Sequence, residues 1–222
     1  MIDLEPLLLS FEVAALATCF ASALGVALAG VLAMPRLWGR ELIDAAITAP
    51  MVLPPTVLGY YLLVLLGRES SIGHAFEALT GSSIVFTRGG AVVAATIGAL
   101  PLVTKAARAA LESVDVRLVG AARTLGASAL RAFFSISLPL ARRGILAGIM
   151  LGFARALGDF GVTLMVAGNI PGQTRTASLA IFDAVLSGRD TDATRLSLIM
   201  TALAVALLVA ASTLTRPRRD GF

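Results

Sequence analysis

The chain has 222 residues, of which 57% are hydrophobic and only 14% are charged. Soluble domains carry roughly 25% charged residues, so this composition excludes an ordinary soluble domain and indicates a membrane protein. The net charge is +4, and in so apolar a chain a basic balance favours contact with an anionic membrane face over binding to nucleic acid.

Five apolar segments predict five membrane-spanning helices, because about 20 residues are needed to cross a bilayer as a helix. Prolines or charges interrupt the middle three segments, which membrane proteins tolerate where a helix packs against protein or lines a water-filled path. We therefore predict an all-α integral membrane protein with a single transmembrane domain, residues 7–216. The five predicted spans are residues 7–34, 44–66, 89–110, 143–168 and 196–215.

The distribution of the 18 Lys and Arg residues predicts how these spans are oriented. Twelve lie in segments that share one side of the predicted membrane, five lie on the other side, and Arg155 lies within a span. By the positive-inside rule the richer side is cytoplasmic, so we expect the N-terminus outside and the C-terminus in the cytoplasm. The twelve are Arg36, Arg40, Lys105, Arg108, Arg117, Arg123, Arg131, Arg142, Arg143, Arg216, Arg218 and Arg219. The five are Arg68, Arg88, Arg175, Arg189 and Arg195.

Three prolines, Pro50, Pro54 and Pro55, interrupt the second span. Each one removes a backbone N–H donor and disturbs a helix. One interpretation is a kink that shapes the helix bundle. The other is a broken helix that lines a translocation path, as transporters often use, with Pro54 and Pro55 as candidate path residues. The residues alone leave both open.

A basic amphipathic segment, residues 111–142, connects the third and fourth spans on the predicted cytoplasmic side. From Asp115 its pattern predicts a short helix, a break at Gly126 and a second short helix. Pro139 is expected to start the next span, where a proline is tolerated in the first turn. A helix that lies on the membrane and binds only lipid headgroups is one explanation of such a segment.

The charges inside the fourth span are Arg155 and Asp159, four residues apart on one face of a helix. If the span starts near Arg143, Arg155 lies roughly 18 Å along it, because a helix rises about 1.5 Å per residue. A charge at that depth costs roughly 2.5 kcal/mol or more, so a partner or water is expected. The pair either fixes the packing of the spans or forms part of a gate or path.

The spacing in residues 111–142 resembles the EAA loop in the permease subunits of ABC-type importers. The matching positions are Ala121-Ala122, Gly126, Ile136 and Leu138-Pro139. The sequence departs from the motif at Gly120, where the family has Glu. The resemblance implies that this loop forms a coupling helix that docks in a groove of a cytoplasmic ATPase subunit. The candidate coupling residues are Gly120, Ala121, Ala122, Leu125, Gly126, Ile136, Leu138 and Pro139.

Four further stretches resemble the molybdate permeases (the ModB family). They are PMVLPPTVLGY from Pro50, LESVDVRLVGAARTLGA from Leu111, FARALGDFG from Phe153 and GNIPGQTRT from Gly168. Together with the layout of the spans, the resemblance covers almost the whole chain. Sulfate permeases share parts of this pattern, but VLPPTVLGYYLL and NIPGQTRT are more similar to the molybdate branch.

The resemblance implies the type I ABC importer permease fold, in a multi-pass protein of the inner membrane surrounded by lipid. It implies an assembly of two copies of this chain, two cytoplasmic ATPase subunits and an extracytoplasmic molybdate-binding protein. ATP and Mg²⁺ would be bound by the ATPase, since this sequence lacks a phosphate-binding GxxxxGK(S/T) loop, and no cofactor or metal is expected in this chain. The implied cycle is alternating access. If the pair of Arg155 and Asp159 forms part of the gate or path, Arg155 attracts the oxyanion and Asp159 holds it in position.

Other functions stay open at this point. The same machine for tungstate or sulfate/thiosulfate fits the sequence, because substrate choice in this family is made largely by the binding protein. A stand-alone secondary carrier or channel has no ATPase to dock, so the EAA-like loop argues against it. A membrane enzyme needs paired intramembrane His, Asp or Ser/Lys groups, which the sequence lacks.

Two predicted outside loops, residues 67–88 and 169–195, are long enough to hold short helices. The apolar stretch 176–182 either dips back toward the membrane or stays outside it. Arg175 either meets the binding protein or is an exposed loop charge.

Overall fold

The computed structural model describes residues 4–33 and 38–215, and within these ranges it contains helices and no β-strand. The predicted all-α class is confirmed. The helices are α1 (Glu5–Leu32), α2 (Arg40–Val52), α3 (Pro55–Leu66), α4 (Ser71–Thr80), α5 (Arg88–Glu112), α6 (Val116–Thr124), α7 (Ala129–Ala132), α8 (Leu138–Leu157), α9 (Gly161–Ala167), α10 (Ala177–Leu186) and α11 (Asp190–Thr215), with a π-helical turn at Phe133–Ser137. Four residues used to predict orientation lie outside the described ranges, namely Arg36, Arg216, Arg218 and Arg219.

Four helical stretches are long and apolar enough to cross a membrane. They are Glu5–Leu32, Arg88–Glu112, Ala129–Leu157 and Asp190–Thr213. With α2 and α3 taken together as one broken span, bent by 114°, the total is the predicted five. The side of the membrane on which each terminus lies stays a prediction.

Small residues allow α1, α5 and α8 to approach one another closely at the centre of the fold. A Cβ atom at Gly152 of α8 would lie 2.6 Å from Val103 Cγ2, and one at Gly148 would lie 2.5 Å from Ala106 Cβ. Both distances are shorter than van der Waals contact, so a larger side chain would push α8 away from α5. Such close contact matters in a bilayer, where lipid tails are as apolar as the side chains and do not drive helices together.

The break between α2 and α3 follows from two consecutive prolines. A residue before proline avoids the helical region, and both Leu53 (ψ 138°) and Pro54 (ψ 136°) are extended. Pro55 then begins α3, where its missing N–H costs no helical hydrogen bond. Pro50, by contrast, lies inside α2 without ending it. The second span is therefore a broken helix.

The fourth predicted span, residues 143–168, is also interrupted. Helix α8 ends at Leu157, residues 158–160 leave the helix, and α9 begins at Gly161. This break was not predicted, because the spacing of the two charges in this span had suggested a continuous helix.

The helix that contains α8 starts earlier than expected. It runs from α7 through the π-helical turn, so Pro139 lies within a continuous helical stretch from Ala129 to Leu157 and does not start it. A proline inside a helix lacks a donor and crowds the turn before it. The wider π-helical turn at Phe133–Ser137 lies directly before Pro139 and accommodates both effects.

The segments predicted to lie outside contain the two short helices α4 and α10. Helix α10 covers the apolar stretch 176–182 and packs against α1 and α11, with Leu179 fully buried. The backbone N–H of Ala177 donates a hydrogen bond to Ser10 Oγ of α1 at 2.7 Å. With ten residues, α10 is too short to cross a bilayer.

Candidate functional site

The candidate coupling segment folds as two short helices around a glycine. Asp115 Oδ1 accepts a hydrogen bond from the Arg117 N–H at 2.8 Å and so caps α6. Gly126 has a φ of +88°, a left-handed conformation that glycine adopts without strain. Ser128 Oγ then accepts from the Arg131 N–H at 3.2 Å and caps α7. Each turn of the chain here has a local cause that can be read from the sequence.

The first part of this segment is exposed. Helix α6 has no buried residue, and Leu125 at its end is 89% exposed. Gly120, which stands in place of the motif's Glu, has open space around it, since a Cβ atom there would meet nothing within 4 Å. Leu130 on α7 is 71% exposed. Apolar side chains held this far from the core favour a surface that another protein covers.

The second part of the candidate coupling set lies elsewhere. Ile136 belongs to the π-helical turn, and Leu138 and Pro139 belong to α8. Leu138 packs against a buried cluster that includes Ala107 and Leu111 of α5. Leu138 therefore attaches the end of the candidate coupling segment to the transmembrane core, whereas Pro139 is exposed and α6 with its glycine turn forms the exposed surface.

Arg155 and Asp159 form an ion pair, with Arg155 Nη1 2.9 Å from Asp159 Oδ1. Asp159 does not share a helix with Arg155, because α8 ends at Leu157 and Asp159 lies in the break. Its other carboxylate oxygen, Oδ2, accepts from Thr163 N at 3.0 Å and from Thr163 Oγ1 at 2.7 Å. The carboxylate thus holds the beginning of α9 to the end of α8.

The two partners differ sharply in exposure. The Asp159 side chain is 2% exposed and the Arg155 side chain is 36% exposed. A buried carboxylate is tolerated when charge and hydrogen bonds compensate its lost water, and Asp159 has three such bonds. Within the described part of the chain, the guanidinium of Arg155 makes one hydrogen bond out of five N–H donors. Arg155 keeps donors for a further acceptor, whereas Asp159 already accepts three hydrogen bonds.

Arg155 also lies against α5, at a glycine. A Cβ atom at Gly98 would lie 3.4 Å from Arg155 Nη2 and 3.7 Å from Asp159 Oδ1. Both distances are ordinary van der Waals contacts, so the ion pair lies directly against α5 at Gly98. The sequence analysis did not identify Gly98 or Thr163, although the spacing of Thr163 four residues after Asp159 is a local signal.

The two breaks in the helices lie side by side. A Cβ atom at Gly161, the first residue of α9, would lie 2.7 Å from Pro55 Cβ, the first residue of α3. A Cβ atom at Gly59 would lie 2.7 Å from Met165 Cβ, one turn further along both helices. The structure thus brings together the four candidate path residues as two neighbouring breaks, one at Pro54 and Pro55 and the other beside Arg155 at Asp159.

A group of five charged side chains, which we call the α2–α5 ion cluster, was missed by the sequence analysis. Arg108 Nη1 lies 2.9 Å from Asp44 Oδ1, and Arg108 Nε lies 2.9 Å from Glu112 Oε1. Lys105 also pairs with Asp44, and Arg40 pairs with Glu112. We had used the three cations only to orient the chain. The spacing of four between Arg40 and Asp44, and between Arg108 and Glu112, was the available signal.

The loop that follows α9 is tied down by arginines. Arg88 of α5 donates to the carbonyl oxygens of Gly172 and Gln173 at 3.0 and 3.1 Å. Arg175 Nε donates to Asn169 Oδ1 at 2.9 Å, and its Nη1 lies 3.3 Å from Asp183 Oδ2 of α10. Arg175 is therefore half-buried and structural, in place of the exposed loop charge that was one of its two interpretations.

Comparison with known proteins identifies the family. Residues 21–216 match the family described as binding-protein-dependent transport system inner membrane component. The molybdenum transport system permease protein ModB of Escherichia coli K12 is 42% identical over 217 residues, which cover 97% of this chain and 95% of that protein. The ModB protein of Haemophilus influenzae is 40% identical, covering 96% of this chain and 94% of that protein.

More distant similarities add two points. A protein of Chlorokybus atmophyticus named "Probable sulfate transport system permease protein cysT" is 34% identical and covers 92% of this chain, which spans 73% of that protein. Among solved structures, a chain of the MetNI methionine ABC transporter in inward facing conformations matches with a TM-score of 0.77 at 15% identity, covering 97% of this chain and 95% of that chain. The second likeness shows the fold alone.

Proposed function

The chain belongs to the family of binding-protein-dependent transport system inner membrane components, within its molybdenum permease (ModB) branch, and from this premise we propose that it imports molybdate. It is a multi-pass inner-membrane permease subunit of an ABC transporter and not itself an enzyme. The observation that carries the choice of molybdate is the 42% identity to the E. coli molybdenum permease over 97% of this chain, against 34% to the sulfate-type protein.

In the proposed assembly, two copies of this chain cross the membrane with two ATPase subunits below and a molybdate-binding protein outside. The exposed surface of α6, with Leu125 held away from the core, supports docking to an ATPase. ATP and Mg²⁺ bind in that subunit. This chain, with its N-terminus outside, supplies the path and the surface through which ATP binding and hydrolysis drive alternating access.

The proposed path passes the two neighbouring breaks. Arg155 carries a positive charge with unused donors at this point, and an oxyanion is a strong acceptor for a guanidinium. Asp159 keeps Arg155 in place through its own bonds to Thr163 and does not need to contact the anion. Pro54 and Pro55 interrupt the helix next to α9, and such breaks leave backbone groups without helical partners, as in the broken helices that line transporter paths.

A second candidate is the same machine with another oxyanion as cargo. The sulfate-type relative supports sulfate or thiosulfate, and tungstate resembles molybdate in charge and shape. Arg155 recognises negative charge and hydrogen-bond acceptors, which all these anions share. The residues of the path therefore favour an oxyanion, and the choice among oxyanions rests on the family similarity.

The test is uptake of radiolabelled molybdate by cells with and without this gene, at low external anion, with tungstate or sulfate as competitor. We expect uptake to be lost without the gene, restored by the wild-type gene, and blocked by tungstate but not by sulfate. Unchanged uptake in the deleted cells would contradict the molybdate assignment. Equal competition by sulfate would assign sulfate as the transported anion and would leave the assignment as a permease unchanged.

A further inference from the structure

The α2–α5 ion cluster joins one end of α2 to one end of α5, and the order of its ion pairs shows that the two helices run antiparallel. Arg40 pairs with Glu112, while Asp44, one turn further along α2, pairs with Arg108 and Lys105, which lie earlier on α5. Moving forward along α2 thus means moving backward along α5. The start of α2 and the end of α5 therefore meet as antiparallel helix ends, and Arg108 bridges the two carboxylates.

This cluster is a principal attachment of α2 within the chain. Helix α2 has no buried residue, and α5 is the helix against which it packs. A single exposed ion pair contributes little to stability, but here the half-buried Arg108 bridges the half-buried carboxylate of Asp44 and the exposed carboxylate of Glu112, and linked pairs reinforce one another. The position of α2 therefore depends on charge contacts more than on apolar packing.

One end of this connection reaches the coupling segment. Glu112 is the last residue of α5, and Asp115, three residues later, caps α6. Only three residues separate the end of α5 from the start of α6, so a displacement of α6 is passed to the end of α5 over a short connection. The cluster lies at that end of α5, so α2 is tied to the part of the chain that α6 moves first.

The other end of the connection reaches the two breaks. Helix α2 ends at Val52, and the turn at Pro54 leads into α3, whose first residue packs directly against Gly161 of α9. A shift of α2 therefore changes how the first break meets the second, beside Asp159. The cluster, α2 and the two breaks form one continuous series of contacts, of the kind needed to couple separated sites.

We propose that Asp44 and Glu112 are positioning residues, which tie α2 to the coupling segment so that movement of α6 is passed to the break at Pro54 and Pro55. Neither residue touches the cargo or ATP. The inference rests on the proposed function, since it assumes that an ATPase subunit moves α6.

The experiment follows α2 directly, in the complete transporter reconstituted in lipid. A single cysteine is introduced by Val52→Cys in a Cys19→Ser background, because Val52 at the end of α2 is highly exposed and Cys19 is the one native cysteine. The rate of labelling by a thiol reagent is measured without nucleotide and with ATP and vanadate. In this parent protein we expect nucleotide to change the labelling rate by about threefold or more.

The informative variant is Asp44→Asn, which keeps the shape of the side chain and removes its charge. We expect it to abolish the nucleotide-dependent change in labelling while ATP hydrolysis stays within about twofold of the parent. The conservative variant Asp44→Glu, which keeps the negative charge that Lys105 and Arg108 both contact, should restore the change at least in part. The matched control is Glu77→Gln on α4, which removes an ion pair with Arg68 away from the cluster. It should leave the change intact.

Three results would overturn the inference: no nucleotide-dependent change in the parent, a full change in Asp44→Asn, or a loss of ATP hydrolysis in Asp44→Asn that matches its loss of movement. The labelling readout does not depend on which anion is carried. If nucleotide changes the labelling rate in the parent and not in Asp44→Asn, but the parent takes up no molybdate, the molybdate assignment is wrong and the inference about Asp44 is still supported.

Discussion

The two interrupted helices break for different physical reasons, although their breaks touch. Between α2 and α3 the cause is covalent, because Pro54 and Pro55 impose extended backbone whatever surrounds them. Between α8 and α9 the break is held by interactions, through a buried Asp159 that bonds to Arg155 on one side and to Thr163 on the other. A break fixed by stereochemistry tolerates substitution nearby, whereas one held by a buried charge depends on each partner.

The largest expected effect comes from Asp159→Ala. It leaves Thr163 and Arg155 without their buried acceptor, and removing one partner of such a pair costs about 3 kcal/mol. We expect a lower thermal unfolding temperature in detergent and loss of molybdate uptake. Thr163→Val, which removes one of the three bonds, should give a smaller decrease. Unfolding of Asp159→Ala at the wild-type temperature would show that the carboxylate does not hold this break.

The exchange of Arg155→Asp with Asp159→Arg sharpens the same point. A simple ion pair survives exchange, but an arginine at position 159 cannot accept the two hydrogen bonds from Thr163. We therefore expect the double variant to have an unfolding temperature no higher than that of Asp159→Ala, and to take up no more molybdate. Substantial recovery of uptake in the double variant would mean that charge pairing alone matters here.

Gly161→Ala tests the contact between the two breaks. The added methyl group would lie 2.7 Å from Pro55 Cβ, and overpacking of this kind costs about 1–3 kcal/mol. Gly89→Ala in the first turn of α5 is the matched control, because its methyl group meets nothing closer than 3.5 Å. We expect a lower unfolding temperature and reduced uptake for Gly161→Ala alone. Equal unfolding temperatures and equal uptake in the two variants would show that the two breaks are not in contact.

Pro54→Ala is expected to change much less. Pro55 remains and still keeps residue 54 out of the helical region, so the bend persists. The loss of one proline increases the freedom of the unfolded chain and costs about 0.4–1 kcal/mol. Thermal unfolding should show a small decrease, and uptake should stay within about twofold of wild type. A loss of uptake as large as that of Asp159→Ala would refute the distinction between the two breaks.

A substitution outside both breaks should have the smallest effect on stability. Leu125 is 89% exposed, so Leu125→Asp is expected to change the free energy of unfolding by less than about 0.5 kcal/mol. Uptake should nevertheless be lost, because a charge is placed on the proposed ATPase-docking surface. Co-purification of the ATPase subunit measures this directly, and undiminished binding would argue against docking at α6.

Features that depend on one or two neighbouring residues were predicted, and features that depend on contacts between side chains were not. The bend at Pro54 and the glycine turn at Gly126 depend on one or two residues, so the sequence analysis identified both. The break at Asp159 was missed, because its spacing from Arg155 also fits an unbroken helix, whereas the break is held by hydrogen bonds to Thr163.

Of the remaining differences, one comes from contacts between distant segments and the other from a local change of helix type. The α2–α5 ion cluster joins residues more than sixty positions apart, such as Asp44 and Lys105. The spacing of four within each helix places charges on one face, but it does not show that the two helices face each other. Pro139 was expected at the start of a span because proline is tolerated there. The structure accommodates it inside a longer helix through a π-helical turn, a local widening that composition alone does not indicate.

The most direct test of the central claim is molybdate accumulation by proteoliposomes that contain this permease, its ATPase and its binding protein. The account predicts accumulation only when ATP, the ATPase and the binding protein are all present, and its loss in the Leu125→Asp variant. Molybdate entry that proceeds equally without ATP or without the ATPase would contradict the account, because it would identify a carrier or channel instead.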